Sequence, residues 1–304
     1  MQESSNHWPA FFYWRWKYWD CAVKPGNDTA SEMTAAPDSK LATLWCPSPN
    51  RDQRANGRAP DMLILHYTGM ESSDAALDWL TREEAKVSAH YLIDEEGRVA
   101  QIVAEFERAW HAGQSRWAGE TDLNSCSIGI EIHNPGHDFD YPNFAGPEMQ
   151  AVEALCLDIL CRHAIPPDRV LAHSDIAPGR KRDPGEKFDW QRLARAGIGL
   201  WVEPAPLGND QGLGPGDEGE SVAKLQRALL EYGYGVEVTS TYGTGLEKVV
   251  EAFQRHFRPA RVDGRADLSS RDTLARLLDA RLANQAGARK SRQLVTSKST
   301  PSNV

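Results

Sequence analysis

Residues 127–134 read SIGIEIHN, and their alternation limits the fold more than any other stretch. Ile128, Ile130 and Ile132 share one face, while Gly129, Glu131 and His133 share the other. Period two with one wholly apolar face describes a strand laid on a core. MLILHY at 62–67 is a second run of strand length, apolar until His66. SAHYLIDEEGRVAQIV at 88–103 predicts a hairpin turning between Asp94 and Gly97. RVLAHS at 169–174 predicts a strand ending at His173. Over 148–163, Val152, Leu155, Cys156 and Ile159 fall at helical spacing. Strands interleaved with helices predict an α/β fold, a mixed central sheet flanked by helices. His66 and His173 then sit at strand ends, where sites in such folds gather.

The chain has 304 residues, enough for two domains with cores of their own. The pattern predicts an N-terminal tail over 1–40 and the α/β domain over 41–202. Residues 203–216, EPAPLGNDQGLGPG, read as a linker that few contacts cross. A small three-helix domain follows over 217–283. Val222, Leu225 and Leu229 mark its first helix, Leu246, Val249, Val250, Phe253 and Phe257 its second, and Leu274, Leu277, Leu278 and Leu282 its third. Residues 284–304 are polar and basic and read as a disordered tail.

Hydrophobic content of 40% and charged content of 25% are ordinary for a globular protein. A formal charge of −9 argues against a nucleic-acid partner. No run approaches the roughly 20 apolar residues of a transmembrane segment. The five cysteines show no C-x-x-C pairing and no disulfide framework, which favours a reducing compartment. Cys156 and Cys161 read as small core residues. The aromatic cluster from Phe11 to Trp19 lacks the order of a signal peptide. It reads as an interfacial anchor, or as an extension upstream of a start at Met33.

The chemistry concentrates in AHSDIAPGRKRDPG, residues 172–185. With His66, it offers two imidazoles and a carboxylate, from His173 and Asp183. That donor set holds a catalytic zinc and leaves a fourth position open. Glu131 lies opposite the isoleucine face and can point away from the core. Lys181 precedes Asp183 by two residues, so an extended segment puts both on one face. His90 reads as a residue that orders the sheet or a groove. His133 and His137 read as structural or groove residues, and His163 as a satisfied core residue. Trp110 reads as packing that shapes a cleft. Arg180 reads either as a solvated charge or as a partner for a substrate carboxylate.

ILHYTG (64–69), SAHYLID (88–94), WHAG (110–113), SIGIEIHN (127–134) and HSDIAPGRKRDPG (173–185) span most of residues 41–200. In this order they resemble the zinc N-acetylmuramoyl-L-alanine amidases of the amidase-2 family, related to T7 lysozyme and the peptidoglycan recognition proteins. VAKLQRALLEYGY, AFQRHF and VDGRADLSSRDTLARLL resemble a three-helix peptidoglycan-binding domain. There YGTGLEKVV departs from the usual acidic-glycine approach to the middle helix.

The resemblance implies hydrolysis of the amide between N-acetylmuramic acid and L-Ala of the stem peptide. His66, His173 and Asp183 would bind Zn2+, and Glu131 and Lys181 would be the catalytic pair. His111 would line the sugar or peptide groove. The implied partners are peptidoglycan or muropeptide fragments. A recognition protein without activity is the first alternative, and the three filled ligand positions weigh against it. A zinc endopeptidase acting on the stem peptide is the second. A wall-binding domain suggests the periplasm. The missing signal peptide suggests the cytoplasm and recycling of anhydro-muropeptides, which is the preferred expectation.

Overall fold

The computed structural model describes residues 36–298. The aromatic segment 11–19 and Met33 lie outside them. Among the described residues the strands are β1 (Ala42–Trp45), β2 (Arg51–Gln53), β3 (Met62–Tyr67), β4 (Tyr91–Ile93), β5 (Val99–Gln101), β6 (Glu107–Ala109), β7 (Ser127–Ile132) and β8 (Val170–Ala172). Six form one sheet in the order β1-β5-β4-β7-β3-β8. β4 and β5 pair antiparallel as the expected hairpin, and the other neighbours pair parallel. β2 and β6 form a separate antiparallel pair. The mixed sheet read from the sequence is therefore present.

The sheet buries both faces. Leu63 and Leu65 of β3 join Ile128, Ile130 and Ile132 of β7 under helix α2 (Gly146–Arg162). α2 begins with Pro147 in its first turn, where a missing N–H costs nothing. It sends Met149, Val152, Leu155, Cys156 and Ile159 into that layer. Helix α1 (Ser73–Leu80) starts where the Ser72 hydroxyl accepts from the Ala75 N–H, a standard cap. The predicted strand over 169–174 stops at Ala172. His173 instead opens a short helix, α3 (His173–Ile176), because the Asp175 side chain accepts the Ala172 N–H and turns the chain.

The opposite face of β3 carries Met62 and Ile64, which join one apolar cluster with residues of the C-terminal helices. These are α5 (Glu220–Tyr232), α6 (Thr244–Phe257) and α7 (Leu268–Lys298), preceded by α4 (Trp190–Arg195) on the other layer. Met62, Ile64, Trp117, Leu171 and Ile176 form one apolar cluster with Leu229, Tyr234, Val249, Phe253 and Phe257. Few contacts were expected across 203–216, yet the two parts share this cluster. The segment itself is pinned to α7: the Ala205 N–H donates to Thr273 at 3.0 Å, and Ser269 donates to the Ala205 carbonyl at 2.5 Å. Gly233 shows how close the approach is. Its φ is +139°, and a Cβ there would stand 2.6 Å from the Trp117 ring.

Five smaller expectations are corrected. Residues 284–298 continue α7 instead of forming a tail, because Ala, Leu, Arg, Gln and Lys are strong helix formers. Within the expected tail 1–40, Ser39 is buried and donates to Asp158 at 2.6 Å. Cys161 is exposed on α2, while Cys156 is buried as read; Cys46 is disulfide-bonded, where the sequence showed no sign of a disulfide framework. His163 lies just past α2, partly exposed, and is satisfied by Glu105 at 2.7 Å, not by an apolar core.

Candidate active site

The parallel register of β3 and β7 sets His66 directly beside Glu131. Paired residues of parallel neighbours point to the same face. That face, built also by Ser127 and Gly129, looks toward the loops after β6 and β8. The β8 loop delivers His173, Lys181 and Asp183, and the β6 loop delivers Trp110 and His111. Glu131, His173, Lys181, Asp183, Trp110 and His111 line a cleft of about 250 Å³. Sequence reasoning missed Trp79, which is 43% exposed and lines the same cleft.

At its floor three atoms converge. His66 Nδ1 is 2.8 Å from His173 Nδ1 and 3.2 Å from Asp183 Oδ2, and His173 Nδ1 is 2.9 Å from the same oxygen. All three side chains are buried. Zinc bonds of about 2.0–2.1 Å at tetrahedral angles put ligand atoms roughly 3.3 Å apart, close to this triangle.

The outer partners assign the tautomers. His173 Nε2 faces the Ala112 carbonyl at 3.1 Å. A carbonyl only accepts, so the proton is on Nε2 and the lone pair on Nδ1. His66 is set by a longer relay. Ser127 spends its proton on the Leu123 carbonyl at 2.5 Å. Its oxygen therefore accepts from His111 Nε2 at 3.1 Å. His111 Nδ1 then accepts from His66 Nε2 at 3.0 Å, which leaves the His66 Nδ1 lone pair facing the triangle. Gly129 is what admits His111: a Cβ there would sit 2.5 Å from the imidazole ring. Asn124 holds the same loop by accepting from the His111 and Ala112 N–H groups.

The charge states match. Burial, with the neighbouring His173, lowers His66 to about 4, so it is neutral at pH 7. Burial lowers His111 as well, followed by the fields of His66 and His90. Burial alone would raise the Asp183 carboxyl, yet His173 and His66 hold it well below the usual carboxylate range. A neutral His66 and an ionised Asp183 suit the binding of a cation. Glu131 moves the other way. Burial and then the nearby Asp183 raise its carboxyl well above normal, with Lys181 opposing. Its Oε2 is buried and has no hydrogen-bond partner among the described residues.

The remaining predicted residues are placed as follows. Trp110 donates its indole N–H to Asp52 at 3.2 Å and presents its ring to the cleft. Arg180 donates to the Ala112 and Gln114 carbonyls, behind the cleft wall. His90 accepts the Gly129 N–H and so ties β7 to the hairpin. His137 bridges Tyr67 and Glu186.

Residues 56–186 match the N-acetylmuramoyl-L-alanine amidase family, and residues 218–277 match a peptidoglycan-binding domain family. The chain is 38% identical over 230 residues to the N-acetylmuramoyl-L-alanine amidase AmiD of Escherichia coli (strain K12). The alignment covers 72% of this chain and 82% of that relative. The chain belongs to the N-acetylmuramoyl-L-alanine amidase family. It is a hydrolase of that activity, acting on peptidoglycan material. Its fold resembles that of E. coli AmiD solved with the substrate anhydro-N-acetylmuramic acid-L-Ala-D-gamma-Glu-L-Lys. There the TM-score is 0.63 at 37% identity, over 75% of this chain and 92% of that one. It also resembles AmpDh3 of Pseudomonas aeruginosa solved with an anhydromuramic pentapeptide, with a TM-score of 0.61 at 32% identity. That match covers 75% of this chain and 95% of the other. No helix among the described residues is long and apolar enough to cross a membrane.

Proposed function

We propose that this amidase is a zinc enzyme whose metal is held by His66 Nδ1, His173 Nδ1 and Asp183 Oδ2. The observation that carries this is the triangle of 2.8, 2.9 and 3.2 Å in which both imidazole lone pairs face inward. Bound there, zinc supplies a Lewis acid for the amide carbonyl and lowers the pKa of bound water.

The other roles fall to the chain itself. Glu131 is the general base and acid. Its partnerless Oε2 borders the cleft, free to take a proton from the attacking water and return it to the leaving L-Ala amine. Lys181 lines the same cleft, without an ion-pair partner among the described residues, and stabilises the oxyanion on the attacked carbonyl. Trp79 and Trp110 give flat apolar walls for the muramic sugar. His111 lines the cleft but acts mainly on His66. Arg180 braces the wall through Ala112 and Gln114, and meets substrate only indirectly.

We further assign soluble anhydro-muropeptides as substrates, supported by the two ligand-bound relatives that carry such molecules. The test is product mass from a defined anhydro-muramyl tripeptide. Release of free anhydro sugar plus the intact tripeptide is expected. A shortened peptide still attached to the sugar marks an endopeptidase and overturns the reading. No product from zinc-loaded protein marks a recognition protein instead.

A further inference from the structure

The turn that carries His173 is clamped by the C-terminal helical unit. Asp175, two residues on, is fully buried, and its two oxygens have three partners. Oδ1 accepts from the Tyr234 hydroxyl at 2.6 Å. Oδ2 accepts from His256 Nδ1 at 2.6 Å and from the Ala172 N–H at 2.9 Å. Tyr234 and His256 are themselves buried. His256 is held flat between Trp190, with ring centroids 3.8 Å apart, and Phe257 at 3.7 Å.

The same helix touches the ligand loop twice more. A Cβ at Gly179 would stand 3.1 Å from the Lys248 side chain. Arg255 lies 3.9 Å from Glu186, which in turn pairs with His137. Contacts at 175, 179 and 186 thus run along the segment that follows His173 and carries Lys181 and Asp183. A module that only tethers the enzyme to the wall has no need to spend buried polar groups on the metal loop. Two buried donors converging on one carboxylate is a device for fixing geometry, since any slip leaves those groups unpaired.

We propose that the C-terminal unit is part of the metal-site scaffold, with Tyr234 and His256 as positioning residues that fix His173 through Asp175. This rests on His173 being a zinc ligand. Outer partners that orient ligands typically change metal affinity or activity by about 10- to 100-fold when removed.

The test uses the full chain in four forms: wild type, Tyr234→Phe, His256→Phe and His256→Asn. Tyr234→Phe removes one oxygen. His256→Phe keeps the stacked ring and loses the donor, while His256→Asn keeps a donor and loses the ring. Zinc affinity is measured by chelator competition, turnover on a soluble anhydro-muropeptide, and binding to isolated sacculi by pelleting. Tyr234→Phe and His256→Phe are expected to weaken zinc about 10- to 100-fold and to lower kcat more than they change KM, with sacculus binding intact. His256→Asn should hold zinc more tightly than His256→Phe. If the Phe variants keep wild-type zinc affinity and kcat, or if His256→Asn is as weak as His256→Phe, the proposal is overturned. Should His256→Phe not fold, Tyr234→Phe decides alone. A wild-type chain that binds no zinc would overturn the metal reading itself, and the scaffold proposal with it.

Discussion

His66 and Glu131 occupy paired positions on adjacent parallel strands and point to the same face of the sheet. One strand register therefore places a metal ligand beside a proton carrier without help from any loop. A slip of one residue would turn either side chain into the opposite core.

The metal triangle predicts about one zinc per chain in the purified protein. His173→Ala removes one corner and should lose both zinc and activity, and exhaustive chelation of the wild type should do the same reversibly. Full zinc occupancy in His173→Ala, read by elemental analysis, would show that the ligands are misassigned.

Glu131→Gln keeps the shape of the side chain and removes its acid–base function. It should retain zinc and lose roughly a hundredfold or more in kcat. Turnover near wild type in that variant would take Glu131 out of the mechanism.

Much of this site is legible in the sequence. The alternation in SIGIEIHN shows which way Glu131 points, and the family resemblance names His66, His173 and Asp183, which the fold brings together. Ser127 was also within reach, because it shares the face of Gly129 and Glu131. The clamp on Asp175 was not. Its partners lie 59 and 81 residues away, and no local period links them. The segment 203–216 misled for a related reason. Proline and glycine report an irregular backbone, and an irregular backbone can be bound tightly to a helix, as Ala205 is to α7.

The relay from Leu123 through Ser127 and His111 predicts that Ser127 governs metal affinity although it never reaches the metal. In Ser127→Ala the His111 Nε2 proton loses its acceptor. His111 can then carry its proton on Nδ1, which drives the His66 proton onto the atom that faces the metal. Zinc affinity should fall about tenfold or more, with little change in thermal stability. Unchanged affinity in competition titrations would mean the relay does not set the tautomer. Gly129→Ala should be worse, since its Cβ meets the His111 ring at 2.5 Å.

Acid stability should depend on Glu105, which is 4% exposed. It accepts from Tyr91 at 2.7 Å, from Arg162 at 2.6 Å and from His163 at 2.7 Å. Burial pushes its carboxyl up, but those bonds win and bring it from 4.5 down to about 2. A depressed carboxylate stabilises the fold fully above its unfolded value, and the gain is lost as pH falls toward the folded one. The window is therefore about pH 4.5 down to 2, and the gain roughly 3 kcal/mol at about 1.4 kcal/mol per tenfold in proton affinity. Glu105→Gln should be less stable at pH 7 and should show a flatter loss of stability across that window. Parallel denaturation curves for the two proteins between pH 5 and pH 2 would remove Glu105 as the cause.

The shared core predicts that the α/β part does not stand alone. Ending the chain at Trp201 uncovers Met62, Ile64, Trp117, Leu171 and Ile176, which pack against the C-terminal helices. Exposing a buried side chain of this size costs about 1.5–3 kcal/mol, so five together are on the scale of the roughly 5–15 kcal/mol that holds a whole domain. The shortened chain should aggregate, or persist with helical far-ultraviolet dichroism but no sharp melting transition. The decisive comparison is calorimetric. A shortened chain that melts cooperatively near the full chain's Tm would show that the interface contributes little, and that the two parts are independent units after all.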